Sequence, residues 1–268
     1  MTHKREEMFS FWSERAKRYG CDPRANTNDI WLREIEIECV DRIIKLHNVK
    51  NVLDFGCANG YSTVRLAKNN PQCTFFGIDI NEDMIEVAGE LASTEGCSNL
   101  SLENMDILRD EIEQRYELIY AIRVFQNIES PQMQQRVFDR LNTLLESGGL
   151  FYYIESYVDG YVQLNMDRAK MNLPPLPIHR HLTLLTDEFD NYVSTRMKLL
   201  ERSFPSSSYY LITRLLYSYI AMMNKEPIDY NHPIHQVAAL VPQIGEYGPQ
   251  RAFLFQKVCD APCLEPSC

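Results

Sequence analysis

The sequence predicts an α/β protein whose core is a doubly wound, mostly parallel β-sheet. Three observations support this fold class. From residue 50 onward, short β-prone runs alternate with helical runs. The first of these strands leads into a glycine-containing loop and then into a helix. Residues 4–48 instead carry apolar and aromatic side chains at helical spacing, so a helical segment is expected to precede the sheet.

The N-terminal segment, residues 1–48, is expected to form two helices that close over a site as a lid. A Gly-, Pro- and Asn-rich loop at 19–29 separates the two helices, and Asn28 or Asp29 can cap the second one. A lid of this kind excludes water from a reaction if aromatic side chains meet over the site. The candidates are Trp12, Tyr19 and Trp31.

The alternating region, residues 49–156, is expected to supply the core of the sheet. Its strand-like runs lie at 51–55, 74–79, 100–103, 116–121 and 150–154. Helices are expected between them at 60–69, 82–94 and 131–146, the last one ended by the run ESGG at 146–149, where a glycine supplies a left-handed cap. This alternation requires right-handed crossovers, which make neighbouring strands parallel.

The remaining residues, 157–258, are expected to form a helical, substrate-facing insertion and the final strands of the same domain. Residues 156–235 are rich in Tyr, Leu, Pro and His and look mainly helical, and a strand is expected at 251–258. The tail, residues 259–268, holds three of the eight cysteines at a spacing that suits no common zinc module.

Composition excludes several classes of function. The 268 residues include 27 basic and 37 acidic side chains, and the net charge of −10 disfavours binding to a nucleic-acid backbone. The longest apolar runs are about half of the roughly 20 residues that cross a bilayer, and the first residues lack a leader pattern. The cysteines form no C-x-x-C pair, which is typical of free thiols in a reducing compartment. We therefore expect a cytoplasmic protein with no nucleic-acid partner, no membrane partner and no bound metal.

One loop carries most of the functional information in the sequence. The run VLDFGCANGYST at 52–63 has the pattern of a buried strand, a glycine loop and a helix start. Gly56 permits a turn that is closed to other residues, and Gly60 lets the backbone approach a ligand at a helix N-terminus. Asp79 ends the next strand, where its carboxylate can accept hydrogen bonds from the two ribose hydroxyls of an adenosine. The arrangement indicates a nucleotide-type site.

The same loop argues against an NAD-type dehydrogenase, because Ala58 and Tyr61 occupy two of the three glycine positions of G-x-G-x-x-G. The segment instead resembles motif I of class I S-adenosylmethionine-dependent methyltransferases, in which an acid at the Asp54 position orders the loop and meets the cationic methionine end. Ala58 departs from that motif, but it leaves room for the ligand if its backbone dihedrals are ordinary. The resemblance implies a seven-stranded, Rossmann-like methyltransferase sheet.

The resemblance extends over residues 50–156. The run at 77–84 looks like the ribose-binding strand end of the family, the run at 104–108 like its adenine-binding segment, and the run at 122–126 like its active-site corner. Glycines before the fifth strand also match the family pattern. The resemblance implies that S-adenosyl-L-methionine is the cofactor and that the following residues hold it: Asp54, Gly56, Cys57, Ala58, Gly60, Asp79, Ile80, Met84, Asp106, Ile107 and Arg123.

The absence of two family motifs argues against two classes of methyl acceptor. Enzymes that methylate the exocyclic amines of bases typically use an Asn/Asp-Pro-Pro-aromatic corner, which residues 121–126 lack, and metal-dependent catechol-type enzymes place an acid near Arg123. The sequence looks like a bacterial subgroup acting on small molecules, with an acid after the fifth strand and Asn-x-x-Arg on the next helix. That resemblance implies a substrate-binding face at Asn165 and Arg168, with Tyr19 from the lid. The alternative for Arg168 is a surface salt bridge.

A hydroxyl acceptor must lose a proton, so a general base is needed for that class of acceptor. The candidate catalytic residues are His181, His179 and Glu155, because histidine titrates near neutrality without help. The alternative for the two histidines is an ordinary loop position that only shapes the site. Neither His179 with His181 nor His232 with His235 has a matched acid or cysteine partner for a metal.

The sequence therefore predicts a methyltransferase that modifies an oxygen or nitrogen of a polar small molecule, such as a sugar or a secondary-pathway intermediate. A homodimer is compatible with this prediction. Two alternatives stay open at this point. One is a non-catalytic scaffold or regulator with the same fold, and the other is a protein or nucleic-acid methyltransferase with a basic groove at Arg123, Arg168 and Arg180.

Overall fold

The computed structural model describes residues 3–258. Within that range a single sheet contains seven strands in the order β3-β2-β1-β4-β5-β7-β6. Strands β1 to β5 are parallel to one another, and β7 runs antiparallel between β5 and β6. The strands are β1 Asn51–Phe55, β2 Thr74–Asp79, β3 Leu100–Asn104, β4 Tyr116–Ile122, β5 Leu145–Ser156, β6 Met197–Ser203 and β7 Gln250–Lys257. The predicted doubly wound, mostly parallel, seven-stranded sheet is confirmed.

Helices cover both faces of this sheet. They are α1 His3–Tyr19, α2 Ile30–Leu46, α3 Tyr61–Asn69, α4 Glu82–Thr94, α5 Pro131–Leu144, α6 Val158–Lys170, α7 Asp187–Ser194, α8 Ser207–Tyr210, α9 Tyr217–Asn224 and α10 Pro233–Leu240. A π-helical stretch, Leu211–Leu216, joins α8 to α9. Of the two predicted caps for α2, the structure uses Asp29, whose side chain accepts a hydrogen bond from the backbone N–H of Leu32.

The hydrophobic core lies in two layers, one on each face of the sheet. Side chains from α5 and α7, such as Phe138 and Phe189, pack on one face, and side chains from α2 and α3, such as Ile43 and Leu66, pack on the other. The central strands are buried on both faces, as a parallel sheet covered by helices requires. The strand order reverses between β1 and β4, and this switch opens a crevice at the carboxyl ends of those strands.

The two helices of the N-terminal segment pack in different places. Helix α2 packs on the sheet through buried aliphatic side chains, including Val40 and Ile43, so it belongs to the core and not to a lid. Helix α1 has one fully buried residue, Ala16, and lies across the carboxyl ends of the strands. The difference follows from the apolar stripe of α2, which is wide enough to demand burial against the sheet.

Two local predictions were wrong. Strand β6 lies inside the segment expected to be helical, and its exposed edge position gives it no alternating apolar pattern. Helix α5 ends at Leu144, before the run 146–149 that was expected to cap it, because Leu145 is already extended and begins β5. Gly148, with φ of +75°, then lies within β5 beside a shift in its register with β4.

Among residues 3–258, no helix combines the length and the apolar character that a membrane span requires. The cysteine-containing tail at 259–268 lies outside the residues that the structure describes.

Candidate active site

A cavity opens at the carboxyl ends of β1, β2 and β4, beneath α1. It contains about 1210 Å³ of empty space, counted out to its solvent-exposed mouth. Eight of the eleven residues predicted to hold a cofactor line it: Gly56, Ala58, Asp79, Ile80, Met84, Asp106, Ile107 and Arg123. The crevice at the strand switch is therefore the candidate site.

Asp79 connects the glycine loop to the end of β2. Its carboxylate accepts a hydrogen bond from the backbone N–H of Ala58 at 2.9 Å and another from that of Asn81 at 2.9 Å. Burial raises the pKa of this carboxyl group. The side chain lines the cavity with acceptor capacity left over, since each carboxylate oxygen has two lone pairs.

Glycine is required at two positions of the loop. Gly56 has φ of +79°, and a Cβ atom there would lie 2.5 Å from Cγ2 of Val124. Gly60 has φ of +71°, and a Cβ atom there would lie 2.9 Å from Cβ of Ala88. Ala58 also has a left-handed backbone, with φ of +49°, so the condition of ordinary dihedrals at this position is not met. The alanine occupies a conformation that the usual glycine adopts without strain.

Three of the predicted cofactor residues, Asp54, Cys57 and Gly60, do not line the cavity. Asp54 is buried and accepts hydrogen bonds from the hydroxyls of Thr63 at 2.5 Å and Tyr120 at 2.6 Å. Burial raises the pKa of Asp54 to about 6. Cys57 is buried against Gly77, and burial raises the pKa of its thiol well above the usual value, so it acts as a packing residue.

Helix α1 closes one side of the cavity through Arg5, Met8 and Trp12. Arg5 forms an ion pair of 2.8 Å with Asp106, and the indole N–H of Trp12 donates to Oδ1 of Asn127 at 3.3 Å. Of the other aromatic residues proposed for the lid, Tyr19 packs near Met84 without lining the cavity. Trp31 packs in a separate cluster with α8 and α10. Among the three candidates, Trp12 is the one at the cavity.

The corner after β4 is held in a strained conformation. Arg123 has φ of +57°, and the following turn is fixed by Glu155, which accepts hydrogen bonds from three successive backbone N–H groups. The distances are 2.7 Å to Val124, 2.7 Å to Phe125 and 3.2 Å to Gln126. Glu155 is 0% exposed, burial raises its pKa to about 8, and it does not line the cavity. It positions the corner, and the structure does not place it where a general base would contact an acceptor.

The two histidines proposed as bases also lie outside the lining of the cavity. Both rings pack against Phe11 on the outer part of α1, with centroid distances of 5.3 Å for His179 and 4.7 Å for His181. Burial and the neighbouring His179 lower the pKa of His181. This placement matches the alternative of histidines that only shape the surroundings of the site.

The predicted substrate-binding pair on α6 makes internal contacts. Asn165 exchanges two hydrogen bonds with the backbone of Leu176, and Arg168 donates to the carbonyls of Pro174 and Arg214. Both residues lie outside the cavity lining. Arg168 is also buried, so the alternative of a surface salt bridge does not describe it. Asn165 and Arg168 therefore stabilise the insertion internally, because their polar side-chain atoms form hydrogen bonds with its backbone.

Sequence reasoning missed two residues that the structure places in the cavity wall, Asn26 and Arg33. Asn26 is 8% exposed, and its buried Oδ1 atom has no hydrogen-bond partner. Arg33 is 7% exposed, and its buried Nε atom has none either. One atom is an acceptor and the other is a donor. The one available signal was a charged Arg33 within the apolar stripe of α2.

Comparison with known proteins identifies the family. A family model of the methyltransferase domain matches residues 46–201, which is more than half of the chain. The chain belongs to the methyltransferase domain family. The matched range includes the whole parallel part of the sheet and the cavity loop, and the cofactor of this class I family is S-adenosylmethionine.

Relatives with known names share about half of this methyltransferase chain. Malonyl-[acyl-carrier protein] O-methyltransferase 2 of Ilyobacter polytropus is 30% identical over 140 residues, which is 52% of this chain and 51% of that protein. Trans-aconitate 2-methyltransferase of Deinococcus radiodurans is 29% identical over 140 residues, or 52% of this chain and 45% of that protein. The chain thus spans about half the length of the curated relatives that it matches.

Solved structures of other methyltransferases share the fold. The N-methyltransferase NodS from Bradyrhizobium japonicum, in complex with S-adenosyl-L-homocysteine, superposes with a TM-score of 0.59 at 16% identity. The match covers 96% of this chain and 99% of NodS. Coclaurine N-methyltransferase gives a TM-score of 0.54 at 13% identity, over 85% of this chain and 72% of that one. At these identities the comparison shows the fold.

The residues of the cavity fit S-adenosylmethionine. The methionine end of this molecule carries an ammonium, which donates hydrogen bonds, and a carboxylate, which accepts them. The buried acceptor of Asn26 and the buried donor of Arg33 match those two groups in kind. Asp79 offers acceptors suited to ribose hydroxyls, and the aliphatic side chain of Ile107 offers an apolar surface. The unsatisfied atoms of Asn26 and Arg33 are therefore ones that this molecule would satisfy.

Proposed function

We propose that this protein transfers a methyl group from S-adenosylmethionine to an oxygen or nitrogen of a polar small molecule. The observation that carries the proposal is the pair of unsatisfied buried atoms on Asn26 and Arg33, in one cavity with Asp79. Both atoms belong to residues that line the same cavity, where a ligand can complete their hydrogen bonds. A ligand with an ammonium and a carboxylate at one end and a ribose at the other satisfies all three side chains.

The roles of the cavity residues follow from their donors and acceptors. Asp79 accepts from the ribose hydroxyls, while its bonds to the backbone of Ala58 and Asn81 keep the loop in place. Asp106, oriented by its ion pair with Arg5, accepts from the adenine amino group. Each of these contacts uses a charged acceptor, which strengthens a hydrogen bond.

Positioning is the main contribution of the protein to this reaction. S-adenosylmethionine, when bound, supplies an electrophilic methyl group on a sulfonium centre. The chain holds the acceptor side of the cavity rigid through Glu155 and the turn that follows Arg123. Met8 and Trp12 of α1 cover the cavity and reduce the access of water.

The names of the relatives support an acceptor that is a small molecule or is carried on a protein. They act, by name, on malonyl-[acyl-carrier protein] and on trans-aconitate. We place the protein in the cytoplasm, because free cysteines such as the buried Cys57 and Cys73 suit a reducing compartment.

Calorimetric titration with S-adenosylhomocysteine tests the binding half of the proposal. The wild-type protein is expected to bind, and Asp79→Ala and Arg33→Gln are expected to weaken binding by about tenfold or more, since each loses a charge-assisted hydrogen bond. Arg140→Gln is the matched control, because Arg140 lies on the surface of α5 away from the cavity. NADH is expected to give no binding heat. Equal affinity in all four proteins would contradict the assignment of the cavity.

Methyl transfer itself separates an enzyme from a scaffold with the same fold. The wild-type protein is incubated with the small-molecule fraction of a bacterial extract and with S-adenosylmethionine carrying a deuterated methyl group. Mass spectrometry is expected to find a labelled small molecule that is absent when Asp79→Ala is used. Binding of S-adenosylhomocysteine without any labelled product would favour the scaffold.

A further inference from the structure

Two arginines in the cavity wall share one buried carboxylate. Nη1 of Arg33 lies 3.3 Å from a carboxylate oxygen of Glu36, and Nη2 of Arg123 donates to the same carboxylate at 3.1 Å. Glu36 is fully buried and also accepts a hydrogen bond of 2.5 Å from the side-chain amide of Gln250. One negative charge therefore serves two guanidinium groups and an amide.

The two guanidinium groups keep unused donors. Nε of Arg33 is buried and has no hydrogen-bond partner, whereas Nε of Arg123 lies 3.1 Å from Oε1 of Glu36 as an ion pair outside hydrogen-bond geometry. Both side chains line the cavity. A guanidinium group has five N–H donors, and leaving a buried charge without compensation is strongly destabilising. Each guanidinium group therefore keeps N–H donors beyond those directed at Glu36, and both groups line the cavity.

The guanidinium group of Arg15 adds a third positive charge, close enough to Arg123 for the two charges to interact. Arg15 of α1 donates to the backbone carbonyls of Ala25 and Arg24 and to the side-chain oxygen of Asn28. No carboxylate accepts from it among the residues that the structure describes. Burial is the main cause that lowers the pKa of Arg15, and the nearby charge of Arg123 lowers it further.

The carboxylates around the cavity do not cancel this charge once the cofactor is bound. Asp106 is paired with Arg5, and Glu129 stabilises the charged form of Lys4. The remaining carboxylates, counted against Arg15, Arg33 and Arg123, are Glu36, Asp54 and Asp79. The three carboxylates balance the charge of the three guanidinium groups. S-adenosylmethionine then adds a net positive charge, because its sulfonium and ammonium outnumber its carboxylate. The acceptor therefore enters a positive site, which favours an anion.

A carboxylate acceptor also needs no general base. The three candidate bases, His179, His181 and Glu155, lie outside the cavity lining. A carboxylate oxygen uses a lone pair to form the new O–C bond while the C–S bond breaks and its electron pair stays on sulfur. The anion and the sulfonium become a neutral methyl ester and a neutral thioether, and no proton has to leave.

We propose, on the basis of the function proposed above, that the acceptor is a small carboxylate bound by Arg123 and that a carboxylate oxygen receives the methyl group. Arg33 is left to the carboxylate of the cofactor, and Arg123 binds the carboxylate of the acceptor. Glu36 holds both guanidinium groups in place and competes with the two anions for their donors.

The test uses the full chain saturated with S-adenosylhomocysteine. Malonate, succinate and glutarate are titrated into it by calorimetry, and their neutral diamides serve as isosteric controls. At least one dicarboxylate is expected to bind about tenfold or more tightly than its diamide. Arg123→Gln is expected to remove that preference, and Arg140→Gln, which loses a surface guanidinium group, is expected to keep it.

Glu36→Gln tests the same site through an expected gain of dicarboxylate affinity, whereas Arg123→Gln tests it through an expected loss. It removes the competing negative charge and keeps the side-chain shape, so dicarboxylate binding is expected to become about threefold tighter or more. A gain of affinity cannot come from a misfolded protein, and thermal melting checks the folding of each variant.

The outcomes separate this inference from the proposed function. Failure of the wild-type protein to bind S-adenosylhomocysteine overturns both. Binding of S-adenosylhomocysteine without any preference for a dicarboxylate over its diamide overturns the carboxylate acceptor alone. A preference that survives in Arg123→Gln overturns the assignment to Arg123. A labelled product whose methyl group resists mild alkaline hydrolysis also overturns the carboxylate acceptor, because a methyl ester is cleaved and an ether or methylamine is not.

Discussion

Two residues of the cavity wall, Ala58 and Arg123, hold left-handed backbone conformations that L-amino acids rarely adopt. Such strain persists when the surroundings fix the backbone. The N–H of Ala58 donates to Asp79, and the N–H of Arg123 donates to the carbonyl of Ile154 at 2.8 Å. Both strained positions therefore lie in the wall of the cavity, and each is held by a hydrogen bond from its own backbone N–H.

Replacing Ala58 with glycine is expected to stabilise the protein. Glycine adopts φ of +49° without the clash of a Cβ atom, and the gain is about 1 kcal/mol in the free energy of unfolding. Urea denaturation measures it. Ala92→Gly in α4 is the control, because the same change within a helix costs about 1 kcal/mol. The strain at Ala58 is refuted if both variants lose stability equally.

Glu155 is expected to make the stability of the protein depend on pH. Its folded pKa, about 8, lies above the ordinary value of an unfolded glutamate, so the folded state binds more protons between about pH 5 and 8. Stability is therefore expected to fall as pH rises through this window, by at most about 1.4 kcal/mol per pH unit. Glu155→Gln is expected to lose this dependence.

Urea denaturation at a series of pH values checks the prediction for Glu155. Glu111→Gln removes an exposed carboxylate and is expected to follow the wild-type profile. Parallel profiles for the wild-type protein and Glu155→Gln would show that burial does not hold a proton on Glu155.

At the residue scale, the sequence predicts the cofactor side of the cavity better than the acceptor side. Gly56 and Asp79 lie within a contiguous motif whose local order reports their function, and the structure places both in the cavity. Asn26 and Arg33 lie far from that motif in the chain, Asn26 in the loop before α2 and Arg33 in α2 itself, and both reach the cavity through the tertiary packing of this segment. The charge of Arg33 within an apolar stripe was a signal, but the local sequence does not encode which cavity it reaches.

At the scale of elements, α1 is the part of the molecule placed to respond to a ligand. It contacts α4 and covers the cavity with Met8 and Trp12, yet it buries little of its own surface. Elements with few buried apolar contacts are the ones that open most easily. Closure of α1 would bring the indole of Trp12 into contact with a bound nucleotide.

Tryptophan fluorescence can follow α1 because the chain has two tryptophans, Trp12 and Trp31. In Trp31→Phe the remaining Trp12 lines the cavity, and its emission is expected to change on addition of S-adenosylhomocysteine. In Trp12→Phe the remaining Trp31 packs against a cluster outside the cavity, and its emission is expected to stay constant. A change confined to Trp12→Phe would contradict the lid assigned to α1.

Elements that carry their own periodic pattern were predictable, and elements that depend on their partners were not. Strands β1 and β2 and helices α3 and α4 match the expected ranges to within one residue. Strand β6 escaped prediction because it pairs with β7, about fifty residues later, on an exposed edge. The burial of α2 against the sheet likewise depends on β1 and β4, which its own pattern does not reveal.

At the scale of the whole molecule, β7 joins the insertion to the parallel core. It pairs with β5 on one side and with β6 on the other, although it lies at the end of the described chain. Phe255 of β7 is fully buried and its ring lies 6.1 Å from that of Tyr153 in β5. The hydrophobic core therefore includes side chains of β7 and is incomplete without this strand.

Phe255→Ala is expected to destabilise the whole protein by about 3 to 5 kcal/mol, because a fully buried aromatic side chain leaves a cavity. Leu240→Ala is the control, since Leu240 is 77% exposed and its loss is expected to change stability by about 0.5 kcal/mol or less. Urea denaturation measures both. Similar stability for the two variants would show that β7 is peripheral to the fold.

The most direct test of the central claim is a crystal structure of the protein with S-adenosylhomocysteine. The ligand is expected in the cavity at the carboxyl ends of β1, β2 and β4, with its ribose hydroxyls on Asp79 and its carboxylate on Arg33. Density for the ligand at any other place, or with the carboxylate directed away from Arg33, would contradict the assignment of the site.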